Sequence, residues 1–190
     1  YKLYIFERKY IMKCAIILAG GKGTRMKATC PKVMCEVLFS PMISYVVDAV
    51  KEAGAKDICV ITGYKHEVLE EYLAKKDSNI VTALQEPQLG TGHAVMQAQS
   101  FIDRHLDDDI IILNGDGPLM DAETINKAYD YHKENGNSIT LISALVDDTK
   151  GIGHIKRDEN GTLLRIVEHK DATEEKIIMA STADLKERTN

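Results

Sequence analysis

The sequence predicts an α/β protein with a mostly parallel sheet and helices on both of its faces. Short apolar runs alternate along the chain with longer segments in which apolar residues recur at helical spacing. Glycine, proline and acidic residues separate these segments, as expected for turns and helix ends. These two observations are typical of a parallel sheet that is covered by helices.

The first βα unit is predicted to pair a strand at residues 13–18 with the helix that follows it. Ser40 is expected to cap this helix, and Pro41 is expected to lie in its first turn. Gly54 is expected to end the helix. The apolar residues at helical spacing within it are Ile43, Val46, Val47 and Val50.

The same alternation predicts the later elements. Aliphatic runs predict strands at residues 57–62, 80–84, 110–113 and 138–146. Helical spacing predicts helices at residues 65–74 and 93–104. Asp121 is expected to cap a further helix, which ends near Asn135 and stops before Gly136.

The pattern changes beyond residue 150. Residues 154–157 and 162–167 flank Asp158-Glu159-Asn160-Gly161, which is typical of a β-hairpin turn. Residues 174–190 are mostly polar. We therefore divide the sequence into an extension at residues 1–11 that carries no chemistry, a domain at residues 12–173 and a divergent polar tail at residues 174–190.

The composition is that of an ordinary globular protein, with 44% apolar and 28% charged residues. A formal net charge of −5 disfavours binding to nucleic acid or to an anionic membrane. The longest apolar run, residues 14–19, is far shorter than the roughly 20 residues that a membrane-spanning helix needs. A chain of this length can bury a sizeable core without a disulfide or a structural metal.

The four cysteines are predicted to be free thiols. Cys14 and Cys59 fall in apolar strand-like runs, where a thiol acts as a small hydrophobic group. Cys30 and Cys35 lack a second pair of Cys or His residues at zinc spacing, so no zinc site is expected. This cysteine usage favours a cytoplasmic protein.

The first loop is rich in glycine: Leu18-Ala19-Gly20-Gly21-Lys22-Gly23-Thr24-Arg25-Met26. It follows the first strand, at the carboxyl end, where open α/β sheets bind ligands. Glycines there let backbone N–H groups approach phosphate oxygens. The loop is neither a Walker loop, because Gly23 follows Lys22, nor a dinucleotide fingerprint, because Met26 stands where Gly or Ala is needed. Taken alone, it is equally typical of a tight turn.

The charge of this region favours an anionic ligand. Residues 20–35 contain four basic side chains and no acidic one, although the chain as a whole is acidic. Lys27 fits a solvated loop as well as a binding site. Lys32 fits a solvated loop less well, because it lies between the rigid Pro31 and the apolar Val33.

Five sequence blocks together resemble one family. They are Gly-Gly-Lys-Gly-Thr-Arg-Met at 20–26 with Pro-Lys-Val at 31–33, Leu-Gln-Glu-Pro-Gln-Leu-Gly-Thr-Gly-His-Ala at 84–94, Gly-Asp-Gly-Pro-Leu at 115–119, Gly-Ile-Gly at 151–153, and Ile-Val-Glu-His-Lys-Asp-Ala-Thr at 166–173. From Met12 to about Thr173 the sequence resembles the N-acetylglucosamine-1-phosphate uridylyltransferases, which are sugar-1-phosphate nucleotidyltransferases. The resemblance implies a Rossmann-like fold, that of the nucleotide-diphospho-sugar transferases.

The resemblance also implies a role for each matched residue. Arg25 and Lys32 would be the catalytic residues acting on the phosphates, and Asp116 would bind Mg²⁺. Gln85, Gly90 and Thr91 would hold uracil and ribose, and a Gln amide suits a base edge because it offers both a donor and an acceptor. Gly153 and Glu168 would face the amino sugar. The implied substrate-binding set is Leu18, Ala19, Gly20, Gly21, Lys32, Gln85, Gly90, Thr91, Asn114, Gly115, Gly153 and Glu168.

The implied reaction joins UTP to N-acetylglucosamine 1-phosphate and gives UDP-N-acetylglucosamine and pyrophosphate. An oxygen of the sugar phosphate would attack the α-phosphorus in line, so catalysis would consist of positioning two anions and neutralising charge. No nucleic-acid or membrane partner is expected.

The sequence also departs from the family. Met34-Cys35 stand where Leu-His is usual, and Asn114 and Gly117 flank Asp116 atypically. An Asn-Thr-Gly strand and an asparagine that is the second metal ligand are not recognisable in residues 177–190, and the acetyltransferase domain of full-length relatives is absent. We therefore expect this chain to bind UTP with Mg²⁺ but to turn over slowly. The alternatives are a related transferase for another sugar or base, a non-catalytic nucleotide-binding remnant, and a Rossmann-like binding domain whose loop is only a turn.

Overall fold

The computed structural model describes residues 11–23, 29–144, 146, 153–159 and 163–167. In chain order, its strands are β1 (Lys13–Leu18), β2 (Glu36–Val37), β3 (Ser40–Pro41), β4 (Asp57–Thr62), β5 (Val81–Leu84), β6 (Asp109–Asn114), β7 (His154–Arg157) and β8 (Leu163–Val167). Its helices are α1 (Met42–Glu52), α2 (His66–Lys76), α3 (Thr91–Gln97), α4 (Gln99–Ile102) and α5 (Ala122–Glu134). The chain divides into two compact units, Tyr1–Leu141 and Ile142–Asn190.

A sheet of four parallel strands, in the order β5-β4-β1-β6, forms the centre of the first unit. The chain passes outward from β1 to β4 and β5, and then returns to place β6 on the other side of β1. The strand order therefore reverses beside β1, and such a switch point leaves a crevice at the carboxyl ends of the strands. The register aligns Leu18 with Ile61 on one side and with Asn114 on the other, so these three strands end together.

Helices cover both faces of this sheet, as the fold-class prediction requires. Alternate residues of β1 face opposite sides, with Ala15 and Ile17 in one buried cluster and Cys14 and Ile16 in the other. The first cluster also contains buried residues of α1, α2 and α5, and the second contains those of α3 and α4. This burial on both faces explains why β1 and β4 read as continuous apolar runs.

Helix α1 has the predicted core face, because Ile43, Val46, Val47 and Val50 are fully buried. Burying each such side chain contributes about 1.5–3 kcal/mol. The prediction that Ser40 caps this helix is wrong. Ser40 and Pro41 instead form β3, which pairs antiparallel with β2, and Pro41 takes the N-cap position without a side-chain hydrogen bond.

The predicted helix at residues 93–104 is two helices. The first begins at Thr91, two residues earlier than predicted, and the second follows a break at Ala98. The Ala98 N–H bonds to the Val95 carbonyl at 2.9 Å, and the Phe101 N–H bonds to the Ala98 carbonyl at 2.8 Å. Such i→i+3 bonds tighten the chain, and here they bring buried Ala98 and Phe101 onto the same face of the sheet.

The predicted cap of α5 is confirmed, because the Thr124 N–H donates to the Asp121 carboxylate at 2.8 Å. The strand predicted at residues 138–146 is wrong over its described part, which is residues 138–144 and 146. A strand needs a neighbour to complete its hydrogen bonds, and these residues form no ladder with the described strands.

The second unit contains the predicted hairpin. Strands β7 and β8 pair antiparallel, from His154 opposite Val167 to Arg157 opposite Leu163. Asp158 and Glu159 begin the turn, and Asn160 and Gly161 lie outside the described residues. None of the helices described in either unit is long and apolar enough to cross a bilayer.

Candidate active site

A pocket of about 350 Å³ lies at the carboxyl ends of β1, β5 and β6, at the switch point of the sheet. Four separate segments of the sequence contribute to it. Its lining residues are Leu18, Ala19, Gly20, Gly21, Lys32, Val33, Gln85, Gln88, Gly90, Thr91, Ala94, Asn114 and Asp116.

The glycine-rich loop is anchored to the loop after β4. The Gly20 carbonyl accepts hydrogen bonds from the Tyr64 N–H at 3.1 Å and from Gln88 Nε2 at 2.6 Å. A Cβ placed on Gly63 would lie 2.6 Å from the Gly20 oxygen, so this approach requires a glycine at residue 63. The two loops are thus in direct backbone contact, which fixes the floor of the pocket.

Gly23 sets the position of Lys32. Its φ of +64° suits glycine, and a Cβ added there would lie 2.7 Å from the Lys32 Cβ. On the other side, the backbone of Lys32 begins a short 3-10 turn, Lys32–Met34, in which Val33 is buried. The stem of Lys32 is therefore held between the glycine-rich loop and the core.

Gln85 is almost completely buried in the pocket wall, with 6% of its surface exposed. Its backbone N–H donates to the Thr62 carbonyl at 2.9 Å, and its Nε2 donates to the Gly90 carbonyl at 2.9 Å. A Cβ placed on Gly20 would lie 3.0 Å from Gln85 Oε1, so the amide oxygen faces the glycine-rich loop. A buried amide held this way has a fixed donor and acceptor direction.

Lys32 and Asp116 form an ion pair across the pocket, from Lys32 Nζ to Asp116 Oδ2. Both side chains are about one-third exposed, at 38% and 32%, so solvent and ligands reach them. Asp116 lies just past β6, and the Gly115 N–H before it bonds to the Leu18 carbonyl at 2.9 Å. The carboxylate is therefore aimed at the space beside the glycine-rich loop.

This carboxylate fits a magnesium site. Mg²⁺ prefers oxygen ligands and is commonly held by one or two carboxylates together with waters and substrate phosphates. Asp116 already pairs with a cationic group, the Lys32 ammonium, at the pocket. If a metal ion and a polyphosphate bound here, the metal would replace Lys32 as the partner of Asp116, and the phosphates would replace Asp116 as the partner of Lys32.

Most of the site residues predicted from sequence come together here. Of the twelve substrate-binding residues and Asp116, ten line the pocket. Gly115 lies directly behind the lining, where an added Cβ would be 3.0 Å from Ile43 Cδ1. Gly153 belongs to the second unit, immediately before β7. Arg25 and Glu168 lie outside the described residues.

Three residues of the pocket lining were not predicted from the sequence: Val33, Gln88 and Ala94. Gln88 is the most informative, because its amide joins the loop after β5 to Gly20, which is 68 residues away in sequence. The motif at residues 84–94 contains Gln88 beside Gln85, but nothing in its spacing indicates that long-range contact.

Chemically, the site combines backbone N–H groups, one cation, one carboxylate and a buried amide. Backbone N–H groups and a lysine suit phosphate oxygens, and a fixed amide suits the edge of a base. The residues that line this pocket include no serine, cysteine or histidine side chain. The arrangement suits transfer between two bound phosphate-bearing molecules more than covalent catalysis.

Comparison with known proteins agrees with this fold. The sequence profile of the nucleotidyl transferase family matches residues 14–181. The chain therefore belongs to the nucleotidyl transferase family.

More particular relatives are bifunctional GlmU proteins. The chain is 45% identical to the bifunctional protein GlmU of Caldanaerobacter subterraneus subsp. tengcongensis over 161 residues, which cover 85% of this chain and 34% of that protein. It is 46% identical to the bifunctional protein GlmU of Clostridioides difficile over 165 residues, or 86% of this chain and 35% of that protein. The predicted resemblance is confirmed, and the chain spans about a third of the length of these relatives.

The fold also occurs in solved structures. A structure of UDP-glucose pyrophosphorylase complexed with UDP-glucose superposes with a TM-score of 0.67 at 22% sequence identity, covering 87% of this chain and 70% of that one. A UDP-glucose pyrophosphorylase from Acinetobacter baumannii superposes with a TM-score of 0.62 at 20% identity, covering 93% of this chain and 83% of that one. At this level of identity the likeness establishes the fold alone.

Proposed function

We propose that this chain transfers a uridylyl group from UTP to N-acetylglucosamine 1-phosphate, giving UDP-N-acetylglucosamine and pyrophosphate. The observation that carries the proposal is the convergence of the glycine-rich loop, Lys32, Gln85 and Asp116 on one pocket at the switch point of the sheet. The similarity to bifunctional GlmU proteins over 85% of the chain supports the same substrates.

Gln85 is the proposed base-selecting residue. Its Nε2 is held by the Gly90 carbonyl, and its Oε1 faces Gly20. Uracil carries a donor N–H at its third ring position, whereas cytosine has a bare acceptor nitrogen there. The Gln85 oxygen would pair with the uracil N–H and would meet the cytosine nitrogen as a second acceptor.

Lys32 and Asp116 are the proposed phosphate and metal ligands. With UTP bound, Lys32 would contact the phosphates and Asp116 would hold Mg²⁺, and Arg25 is proposed as a second phosphate ligand from its sequence motif. Bound Mg²⁺ would offset negative charge on the triphosphate. The backbone of residues 18–21 would orient the α-phosphate for attack from the opposite side.

The reaction itself needs no protein nucleophile. An ionised oxygen of the sugar phosphate would form the new bond to the α-phosphorus, while the bond from that phosphorus to the β-phosphate oxygen breaks and pyrophosphate leaves. Lys32 would stabilise the negative charge that develops on the leaving group. The sugar contacts proposed for Gly153 and Glu168 rest on their sequence motifs.

All four cysteines are free thiols, which supports a cytoplasmic location for this reaction.

The test is a pyrophosphate-release assay over a matrix of nucleotides and sugar phosphates. UTP, CTP, dTTP and ATP are each combined with N-acetylglucosamine 1-phosphate, glucose 1-phosphate and galactose 1-phosphate, with protein in excess so that slow turnover is measured. We expect the fastest release with UTP and N-acetylglucosamine 1-phosphate. Preference for another pair would assign a different specificity, and release with none of them would contradict a catalytic role.

A further inference from the structure

Two cysteines bracket the candidate phosphate-binding lysine. Cys30 and Cys35 lie on either side of Lys32, and their Sγ atoms are 3.7 Å apart. Both are free thiols that are partly exposed to solvent, in contrast with buried Cys14 and Cys59. A pair of accessible sulfur atoms in contact is the geometry from which a disulfide can form.

The segment between the two sulfurs is fixed at one end. The Met42 N–H donates to the Cys35 carbonyl at 3.1 Å, and the Cys35 N–H donates to the Lys32 carbonyl at 3.1 Å. Val33 is buried in the core with 3% of its surface exposed. Cys35 is thus anchored to the start of α1 and, through its own N–H, to the Lys32 carbonyl, so drawing the two sulfurs together pulls on the turn that carries Lys32.

We propose that Cys30 and Cys35 are a modification site at which a small-molecule disulfide, such as oxidised glutathione, produces a reversible Cys30–Cys35 disulfide that displaces Lys32 from Asp116. A disulfide has an S–S distance of about 2.05 Å, so the sulfurs must approach by roughly 1.7 Å. A shift of about 1 Å in a catalytic group can cost roughly a hundredfold in rate. The consequence for turnover rests on the proposed function, but the disulfide itself does not.

The redox step balances through ordinary thiol–disulfide exchange. The Cys30 thiolate attacks one sulfur of oxidised glutathione, which forms a mixed disulfide and releases one glutathione thiolate. The Cys35 thiolate then attacks the Cys30 sulfur, which forms the intramolecular disulfide and releases the second glutathione. Two protein thiols lose two electrons and two protons, and one glutathione disulfide gains them.

The chemistry of the individual thiols supports this order. Burial and the hydrogen bond with Cys30 raise the pKa of Cys35, which lowers its thiolate fraction and suits it to the second, intramolecular step. Burial raises the pKa of Cys14 and of Cys59 to about 11, so both stay protonated and unreactive near neutral pH. They serve as internal controls.

In the experiment, the full chain is incubated in glutathione buffers of graded oxidised-to-reduced ratio. The remaining thiols are then alkylated with N-ethylmaleimide under denaturing conditions, and the adducts are identified by peptide mass spectrometry. As the buffer becomes more oxidising, we expect Cys30 and Cys35 to lose their N-ethylmaleimide adducts together. The product is a peptide that contains both cysteines and is two hydrogens lighter than the same peptide with two free thiols. Cys14 and Cys59 should remain alkylated. Cys30→Ser and Cys35→Ser should each give at most a glutathione adduct. Independent alkylation of both cysteines at every ratio, or separate glutathione adducts in the wild type, would overturn the proposal.

A second measurement follows Lys32 without any nucleotide. The lysines of the reduced and of the oxidised protein are acetylated briefly. The labelling rate of Lys32, which pairs with Asp116, is then compared with that of Lys51, which pairs with Asp77. We expect oxidation to raise the labelling rate of Lys32 several-fold and to leave Lys51 unchanged. Equal labelling of Lys32 in both states would overturn the displacement.

Turnover is measured last, and we expect the oxidised form to be about a hundredfold slower, with recovery after reduction. Unchanged turnover in the oxidised form would contradict the proposal that the disulfide slows turnover by displacing Lys32. Absence of turnover in the reduced form would count against the proposed function and would leave the thiol and lysine results to decide this inference.

Discussion

Lys32 is the residue on which the proposed chemistry depends most. Its stem is held by Gly23 and by the 3-10 turn, and its ammonium pairs with Asp116 across the pocket. The pair holds both groups in place before any ligand arrives. A lysine held in this way would lose little freedom if a phosphate replaced the carboxylate as its partner.

Replacing Lys32 with alanine is expected to slow turnover by about 2–4 kcal/mol in activation free energy, the usual cost of losing one preorganised electrostatic contact. Single-turnover pyrophosphate release with excess protein measures it. Lys51→Ala is the matched control, because Lys51 also pairs with an aspartate and is 37% exposed against 38% for Lys32, yet it does not line the pocket. Equal, small effects of the two changes would contradict the catalytic role.

Replacing Gln85 with alanine tests whether this residue selects the base. Gln85→Ala removes the bond to Gly90 and the proposed acceptor for uracil, so UTP binding should weaken by about 1–3 kcal/mol and the preference for UTP over CTP should fall. Competition titrations with the two nucleotides measure both effects. The control is Gln99→Ala, because Gln99 Nε2 donates to the Asp103 carboxylate at 2.7 Å and Gln99 is not among the residues that line the pocket. Unchanged selectivity in Gln85→Ala would remove this residue from the base site.

Sequence could predict the residues whose roles are local or belong to a recognisable motif. Asp121 was identifiable as a cap because its partner, Thr124, is three residues away. Gln88 was not identifiable, because its partner is the carbonyl of Gly20 in a distant loop. Contacts of this kind depend on the order of strands in the sheet, which a single sequence does not specify.

At the scale of elements, the strands that are buried on both faces were predicted most accurately from the sequence. The predicted bounds of β1 and β4 are those of the structure, because central strands buried on both faces are continuous apolar runs. The strand predicted at residues 138–146 has a suitable pattern but lies in no ladder among the described strands. Hydrophobic pattern determines whether a segment suits a sheet, and a neighbouring strand determines whether it joins one.

The β2–β3 hairpin is an element under local strain. Its turn residues Leu38 and Phe39 have φ values of 48° and 70°, which glycine or asparagine usually adopts. Their side chains are 81% and 95% exposed, so packing offsets little of this cost. The Tyr45 hydroxyl donates to the Val37 carbonyl at 2.7 Å and holds the turn against α1.

Phe39→Gly is therefore expected to raise the free energy of unfolding by about 0.5–1 kcal/mol, because the relief of left-handed strain exceeds the entropy cost of glycine. Chemical denaturation of the two proteins measures the difference. Leu119→Gly is the control, since Leu119 is 94% exposed and is not among the described residues with positive φ. A loss of stability in Phe39→Gly as large as in Leu119→Gly would contradict the strain at this turn.

At the scale of the whole molecule, the order of the strands creates the pocket. Because β6 returns to the far side of β1, the loops after these two strands converge, and Asp116 meets Lys32 from 84 residues away in sequence. The loop after β5 closes the third side through Gln85 and Gln88. The sequence motifs predicted most of these residues separately, and the sheet topology explains why they meet.

The most direct test of the account is calorimetric titration of UTP into this chain with and without Mg²⁺. We expect one UTP site per chain and an affinity that rises when Mg²⁺ is present, with the Mg²⁺ effect lost in Asp116→Asn. Asp77→Asn, which breaks the ion pair with Lys51 instead, should keep the Mg²⁺ effect. Absence of UTP binding, or binding with the same affinity whether or not Mg²⁺ is present, would contradict the account.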